Sequence, residues 1–254
     1  MANQAFVTRN IENGLCTIAF HHPAHNSLPS ELLSAMSSEI LLAGLNPEVK
    51  LILLRSEGEK TFCAGASFDE LLSITNKTEG LHFFSGFANV INAIRTCKKI
   101  VIARVHGKAI GGGVGIAAAA DYSMATKWAT FRLSELAVGI GPFVIGPAVE
   151  RKIGLANFAK LSLTPAEWQT AEWAKNIGLY QESFETVEQL DNYLKVFIDN
   201  LLSYSPMALA ELKKVFWQGT DHWDSLLIER ANISGELILS DYAKSAIQSF
   251  KVKA

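Results

Sequence analysis

The 254 residues of this chain are 49% hydrophobic, and 23 Lys and Arg residues against 25 Asp and Glu residues leave a formal net charge of −2. This apolar content is enough for a sizeable core and excludes an intrinsically disordered chain. The near-neutral charge is unlike that of a nucleic-acid-binding protein, so small-molecule chemistry and contacts with other proteins remain as the classes of function.

The first half of the chain alternates predicted strands and helices. Short apolar or β-branched runs predict strands at Leu15–Phe20, Leu51–Arg55 and Ile100–Val105. The last two runs are almost entirely apolar, which is typical of strands that are covered on both faces of a parallel sheet. Apolar residues at helical spacing predict a helix over Gly86–Cys97. This alternation indicates an α/β architecture with parallel pairing.

After about Ala156 the sequence predicts helices only. Thr164–Glu167 has the spacing of a capping box with proline at the first helical position. Ser205–Pro206 predicts a second helix start, and helical patterns cover Ile228–Ser240 and Tyr242–Lys251. We therefore expect an all-helical C-terminal third that packs on the α/β part or on a neighbouring subunit.

The cysteines are Cys16, Cys63 and Cys97, and no CxxC pair is present. Their odd number and wide spacing predict neither a disulfide framework nor a zinc site, and reduced thiols indicate a cytoplasmic location. The cluster of His21, His22 and His25 lacks a carboxylate or cysteine partner at ligand spacing, so no metal is expected. The N-terminus lacks a secretory pattern, and no apolar run reaches about 18 residues, so we expect no membrane span.

Two segments of small residues are the main candidates for chemistry, because each follows a predicted strand and leads towards a helix. They are Phe62–Leu71 and His106–Ala117. Small residues let a backbone approach another group closely, and a helix N-terminus offers unpaired N–H donors with a partial positive charge. Two such turns aimed at one point would form an oxyanion hole for an enolate derived from a thioester.

Each turn also has a structural interpretation, which is close packing of a helix on a sheet. A third interpretation is a dinucleotide fold, because Gly113, Gly115 and Ala118 satisfy the loose glycine pattern, with Glu135 about 20 residues further on. A dinucleotide loop begins at the end of its strand. Here five residues, His106–Ile110, separate Val105 at the end of the predicted strand from Gly111, which disfavours the dinucleotide interpretation.

Four blocks of sequence resemble the enoyl-CoA hydratase/isomerase family, the crotonase superfamily. They are residues 25–28 (HNSL), 62–66 (FCAGA), 105–121 (VHGKAIGGG running on to AD) and 131–140 (FxxxExxxGI). Their order and spacing cover nearly the whole chain. The resemblance implies a spiral of ββα units over residues 1–195 and a C-terminal helical region, residues 196–254, that forms a homotrimer or a hexamer built from two trimers.

The resemblance also implies a CoA thioester substrate, no cofactor and no nucleic-acid or membrane partner. The family's two oxyanion-hole N–H donors correspond to Ala66 and Gly112, and its later catalytic glutamate corresponds to Glu135. The phosphates of CoA need only a local site, for which Lys60 and the C-terminal Lys251 are candidates. The other residues expected to bind substrate are Asn26, Leu28, Ala64, Gly111 and Phe143.

One departure from the family pattern bears on the reaction. Hydratases of this family hold water between two glutamates, and the position of the earlier one is Gly115 here, whereas Glu135 is present. A single base can shift a double bond from the 3 to the 2 position, and Pro142–Phe143 resembles a segment of the family's 3,2-enoyl-CoA isomerases. We therefore favour isomerisation. The alternatives are a hydratase, a decarboxylase of a branched acyl-CoA, and a non-catalytic acyl-CoA-binding module.

Overall fold

A computed structural model describes residues 4–253, and the side chains up to residue 250. Its largest sheet has six strands in the order β1-β2-β4-β7-β9-β11. Their bounds are β1 Phe6–Glu12, β2 Leu15–His21, β4 Leu51–Ser56, β7 Ile100–Val105, β9 Tyr122–Thr126 and β11 Glu182–Phe184. Only the pairing of β1 with β2 is antiparallel, and the other neighbours run parallel. The predicted α/β class with parallel pairing is therefore confirmed.

Two smaller sheets lie beyond the carboxyl ends of the large-sheet strands. One contains β10, β8 and β5, and the other pairs β3 with β6. The bounds are β3 Ser27–Leu28, β5 Thr61–Cys63, β6 Gly65–Ala66, β8 Lys108–Ile110 and β10 Phe131–Arg132. Each turn of the chain thus passes through the large sheet, a small sheet and a helix, which is the expected spiral of ββα units.

Ten α-helices complete the described part of the chain. They are α1 Ser30–Leu45, α2 Phe68–Ser73, α3 Lys77–Thr96, α4 Gly112–Ala119, α5 Gly146–Leu163, α6 Ala171–Asn176, α7 Val187–Ser203, α8 Pro206–Phe216, α9 Trp223–Leu237 and α10 Asp241–Lys253. A short 3₁₀ helix, Glu135–Val138, lies between β10 and α5. None of the helices in residues 4–253 has the combined length and apolar character needed to cross a membrane.

The central strands bury both of their faces, as their apolar sequences predict. Alternate residues of β4 point to opposite sides, so that Ile52 and Leu54 join the core under α1 and α3. Leu51 and Leu53 instead pack with residues of α7, including Leu190 and Leu194. The sheet therefore lies between two helical layers, and its carboxyl edge supports the small sheets and their turns.

A buried carboxylate fastens the C-terminal helices to this core. Asp121, directly after α4, accepts a hydrogen bond from the backbone N–H of Val101 at 2.8 Å and forms an ion pair with Lys213 at 2.6 Å. The indole N–H of Trp217 donates to its other oxygen at 2.8 Å. The Asp121 and Lys213 side chains are only 2% and 3% exposed, so this carboxylate has a structural role.

Two predictions for the C-terminal third are wrong. Strand β11 follows Ala156, so this region is not all-helical. Thr164 does not begin a helix, because α5 continues to Leu163 and Thr164 caps its C-terminus. The next helix starts at Ala171, where the Thr170 hydroxyl accepts the backbone N–H of Trp173. The division into two regions at residue 196 stays a prediction, and this position lies within α7.

Candidate active site

The first small-residue turn connects β5 to α2 through β6. Gly65 has φ +84°, a conformation that side-chain-bearing residues rarely adopt, and a Cβ atom there would lie 2.8 Å from the carbonyl oxygen of Ile110. Strand β6 is held by β3, with Leu28 opposite Ala66. The backbone N–H of Ser67 donates to the carbonyl of Leu28 at 3.2 Å. Glycine and this pairing together fix the direction in which the Ala66 amide is presented.

The second turn connects β8 to α4. Gly111 precedes the helix with φ +51° and ψ −115°, and its backbone N–H donates to the carbonyl of Arg132 at 3.0 Å. Gly112 is the first residue of α4, and N–H groups in the first turn of a helix have no partner within the helix. The N–H of Gly112 is therefore available to a bound group, and the dipole of α4 favours negative charge there.

The two turns converge. A Cβ atom at Gly65 would lie 3.4 Å from the backbone nitrogen of Gly112, so the first turn lies directly against the N-terminus of α4. Ala64, Ala66, Gly112 and Glu135 line the same narrow cavity of about 50 Å³, which we call the inner cavity. The two turns therefore meet at one cavity, which is the proximity that the oxyanion-hole interpretation requires.

Glu135 begins the 3₁₀ helix and directs its carboxyl group at the second turn. A Cβ atom at Gly111 would lie 2.8 Å from Glu135 Oε1, so only glycine leaves room for the carboxylate beside the second turn. The other oxygen, Oε2, is buried and has no hydrogen-bond partner within the described residues. Burial raises the pKa of Glu135 to about 7, because the charged form loses its hydration.

The remaining walls of the inner cavity are mostly apolar. They include Leu71, Phe84, Phe87, Val138, Ile140, Phe143 and Ile145. An apolar lining keeps water away from a carboxylate and preserves its raised pKa. Gly141, Pro142 and Phe143 also border a neighbouring cavity of about 350 Å³, so this segment lies between the two spaces.

The space beside Gly115 is occupied by a hydrophobic side chain. A Cβ atom at Gly115 would lie 2.6 Å from Ile145 Cβ and closer still to its Cγ2 methyl. Real Cβ atoms essentially never approach another heavy atom this closely, so Gly115 and Ile145 fit as a pair. Within residues 4–250, Glu135 is the one carboxylate that lines the inner cavity.

Three of the predicted binding residues lie outside the inner cavity. The Asn26 amide donates to the carbonyls of Glu57 and Thr61 at 2.7 and 2.8 Å, which ties its loop to β5. The Leu28 side chain is fully buried in the hydrophobic core. Lys60 borders a separate surface cleft of about 270 Å³ beside the histidine segment. The side chain of Lys251 falls outside the described residues.

A wider space, the outer cleft, opens from the inner cavity towards the surface. Its volume is about 340 Å³, and it shares Ala64, Ala66, Ser134 and others with the inner cavity. Arg132 also lines it, although the sequence pattern assigns that residue no role. The sequence pattern also assigns no role in the site to Ile145 or Phe87, because each is typical of an ordinary core residue. Within residues 4–250, no three His, Cys, Asp or Glu side chains are grouped to hold a metal ion.

Comparisons with known proteins agree with this architecture. The chain matches the family model "Enoyl-CoA hydratase/isomerase" over residues 10–253. It is 30% identical to a short-chain-enoyl-CoA hydratase of Clostridium acetobutylicum, with 94% of this chain and 92% of the relative covered. It is 26% identical to a peroxisomal Delta(3,5)-Delta(2,4)-dienoyl-CoA isomerase of Arabidopsis thaliana, with 87% and 88% covered.

Solved structures show the same fold. An enoyl-CoA hydratase from Bacillus halodurans superposes with a TM-score of 0.88 at 23% identity, covering 96% of this chain and 99% of that one. A second, from Mycobacterium avium subsp. paratuberculosis K-10, gives a TM-score of 0.85 at 23% identity, with 97% and 96% covered. The converging turns, the carboxylate beside them and the family match over nearly the whole chain lead to one conclusion. The chain belongs to the enoyl-CoA hydratase/isomerase family.

Proposed function

We propose that this acyl-CoA enzyme shifts a double bond, converting a 3-enoyl-CoA into a 2-enoyl-CoA. The observation that carries the proposal is the composition of the inner cavity, which pairs one buried carboxylate, Glu135, with two converging turns. The position beside Gly115 is filled by Ile145, so a second carboxylate has no room there.

The reaction begins with removal of a proton from the carbon α to the thioester carbonyl. Glu135 takes this proton, and the electron pair moves onto the thioester oxygen to give an enolate. The backbone N–H groups of Ala66 and Gly112 stabilise the negative charge on that oxygen. Glu135 then returns the proton to the γ carbon as the enolate collapses, which leaves the double bond at the 2 position. No atom is gained or lost, so the chemistry requires no cofactor.

The raised pKa of Glu135 suits this role. A carboxylate whose pKa is about 7 is a stronger base than an ordinary glutamate, yet half of it remains ionised at neutral pH. Within residues 4–250, no second titratable side chain lines the inner cavity to compete with Glu135. Hydration, by contrast, requires a bound water and is easier with a second group to position it or to protonate carbon.

The second candidate function is hydration of a 2-enoyl-CoA. The observation in its favour is the similarity to the Clostridium acetobutylicum short-chain-enoyl-CoA hydratase, at 30% identity over 94% of the chain. Similarity to the Arabidopsis isomerase, at 26% identity, supports the double-bond shift in the same way. The relatives therefore leave both reactions open, and the preference rests on the single carboxylate.

The products distinguish the two functions. The purified protein is incubated with 3-enoyl-CoA and, separately, with 2-enoyl-CoA in heavy water. The products are separated by chromatography, which resolves the two positional isomers of equal mass, and are identified by mass spectrometry. Isomerisation moves the double bond with no gain of water, whereas hydration adds one water molecule. We expect the double-bond shift. Rapid hydration without any shift would establish the hydratase in its place.

We also propose that the protein acts as a homotrimer, or as a hexamer of two trimers, in the cytoplasm. The exposed apolar side chains on α8 support the assembly, since Met207 and Val215 are 78% and 64% exposed. The three free, buried cysteines support a reducing compartment. Light scattering coupled to size-exclusion chromatography gives the mass, and a monomer of 27.7 kDa would contradict the assembly.

A further inference from the structure

Arg132 is a cation in the outer cleft, and within residues 4–250 no carboxylate forms an ion pair with it. It ends β10, directly opposite Ile110 of β8, and its side chain is half-buried. Its Nε atom is buried and has no hydrogen-bond partner within the described residues. Loss of hydration lowers the pKa of Arg132, and no charged neighbour offsets that effect. Such a group costs free energy until an anion pairs with it.

An aromatic ring holds this guanidinium in place. The Arg132 guanidinium carbon lies 4.5 Å from the centre of the Trp168 ring, and Lys108 Nζ lies 5.3 Å from the same centre. A stacked guanidinium keeps its planar edge free for a bidentate contact with phosphate or carboxylate. Trp168 therefore orients Arg132, and Lys108, which contacts the same ring, is a second positive charge nearby.

The position of Arg132 indicates which part of a ligand it meets. It lines the outer cleft of about 340 Å³ and is absent from the lining of the inner cavity, where the reacting carbons would lie. A thioester oxygen bound at Ala66 and Gly112 places the acyl group in the inner cavity. The carrier portion must then leave through the outer cleft, and the anionic groups of that portion are phosphates.

We propose that Arg132 binds a phosphate group of the CoA carrier, an assignment that rests on the proposed function insofar as the ligand is a CoA thioester. Among the described residues, Arg132 shares the outer cleft with one carboxylate, Asp69. Lys60, the position that resembles the family's phosphate contact, faces a different cleft that is lined by two, Glu57 and Glu59. Arg132 thus supplies a contact that Lys60 does not. A carboxylate on the acyl group has the same chemistry but would lie in the inner cavity, out of the cleft that Arg132 lines.

The test compares CoA with pantetheine, a probe that lacks the 3′-phospho-ADP portion of CoA and therefore all of its phosphates. Binding of free CoA and of pantetheine, which carries no phosphate, is measured by calorimetry for the wild type and for Arg132→Ala. Arg132→Gln is used alongside it, because it keeps most of the stem that packs on Trp168 and guards against loss of folding. Lys127→Ala is the matched control, since Lys127 also stacks on a tryptophan, Trp128, but outside the cleft.

We expect Arg132→Ala and Arg132→Gln to weaken CoA binding by about tenfold or more, which is the scale of a lost charged hydrogen bond, with pantetheine binding unchanged. In turnover, KM for the CoA ester should rise by a similar factor while kcat stays within about twofold. Lys127→Ala should bind CoA as the wild type does. Unchanged CoA binding, or equal losses for CoA and pantetheine, would overturn the assignment.

The two proposals fail separately. If the wild type isomerises its substrate and Arg132→Ala binds CoA normally, only the phosphate assignment is wrong. If the wild type binds CoA through Arg132 but shifts no double bond, only the proposed reaction is wrong. If Arg132→Ala weakens binding only of CoA esters whose acyl group carries a carboxylate, Arg132 binds the acyl group, and this result would also contradict the assignment.

Discussion

The packing of Ile145 against Gly115 gives a stability prediction that does not depend on activity. Gly115→Ala places a Cβ atom 2.6 Å from Ile145 Cβ, whereas carbon atoms in contact normally lie about 3.5–4.0 Å apart. Relieving this overlap costs about 1–3 kcal/mol of overpacking. Replacing glycine by alanine inside a helix returns about 0.8–1.0 kcal/mol, so the net destabilisation of the wild type is at most about 2 kcal/mol.

A double-mutant cycle isolates the overlap. Ile145→Gly removes both the Cβ atom and the Cγ2 methyl that a Cβ at position 115 would meet, so Gly115→Ala should become stabilising in that background by about 1 kcal/mol, through helix propensity alone. The coupling free energy between positions 115 and 145 should therefore be about 1–3 kcal/mol. Ile145→Val is the matched control, because it keeps Cγ2 and should leave Gly115→Ala as unfavourable as in the wild type.

The assay is urea unfolding followed by circular dichroism and tryptophan fluorescence, with the free energy of unfolding taken for each member of the cycle. In heating, each kcal/mol should move Tm by about 2–4 °C for a domain of this size. If Gly115→Ala stabilises the wild type by the full helix-propensity gain, the space beside Gly115 is open. The structural argument against a second carboxylate would then fail.

Three further predictions concern the site and its support. Glu135→Gln should lower the rate by at least about 10², and a wild-type rate in this variant would show that Glu135 is not the base. In the wild type, kcat/KM should rise with pH through about 7, because the carboxyl group of Glu135 is protonated below its pKa and only the ionised form is a base. A pH–rate profile of both proteins measures the two effects. Phe143→Ala should join the inner cavity to its 350 Å³ neighbour and move the acyl-length preference of kcat/KM to longer chains, whereas an unchanged preference would show that the ring is no barrier. Lys213→Met should cost about 3–5 kcal/mol in urea unfolding, because it leaves Asp121 charged and buried without its ion-pair partner; a cost below about 1 kcal/mol would contradict that role.

The strands and helices of the α/β part can be predicted well from the sequence, because the spacing of their hydrophobic residues determines which element forms. The run Ile100–Val105 is a strand with the same bounds in the structure, and Pro206 begins a helix as expected. The predicted helix start at Thr164 is wrong because α5 extends to Leu163 and Thr164 caps the C-terminus of that helix. Strand β11 escapes notice because it has three residues and pairs with β9 from a distant part of the chain.

In the candidate site, too, local sequence features can be predicted, whereas contacts between distant elements cannot. The two small-residue turns can be found from their sequence pattern, whereas Ala66, Gly112 and Glu135 are assigned by resemblance to the family's motifs. Their convergence, and the roles proposed here for Ile145 and Arg132, depend on distances between elements that no local pattern encodes. Ile145 matters only because its methyl lies against Gly115, thirty positions earlier. Arg132 matters because Trp168, which belongs to the loop after α5, supports it in the outer cleft.

The central claim is that one carboxylate acts beside two backbone donors on a single thioester oxygen. A crystal structure with a non-reactive acyl-CoA analogue tests it most directly. We predict the thioester oxygen at about 2.7–3.1 Å from the nitrogens of both Ala66 and Gly112. The Glu135 carboxylate should face the carbon α to the carbonyl, with Ile145 beside Gly115 and no second carboxylate in reach. A thioester oxygen outside the reach of either N–H, or another acidic side chain at the α carbon, would contradict the account.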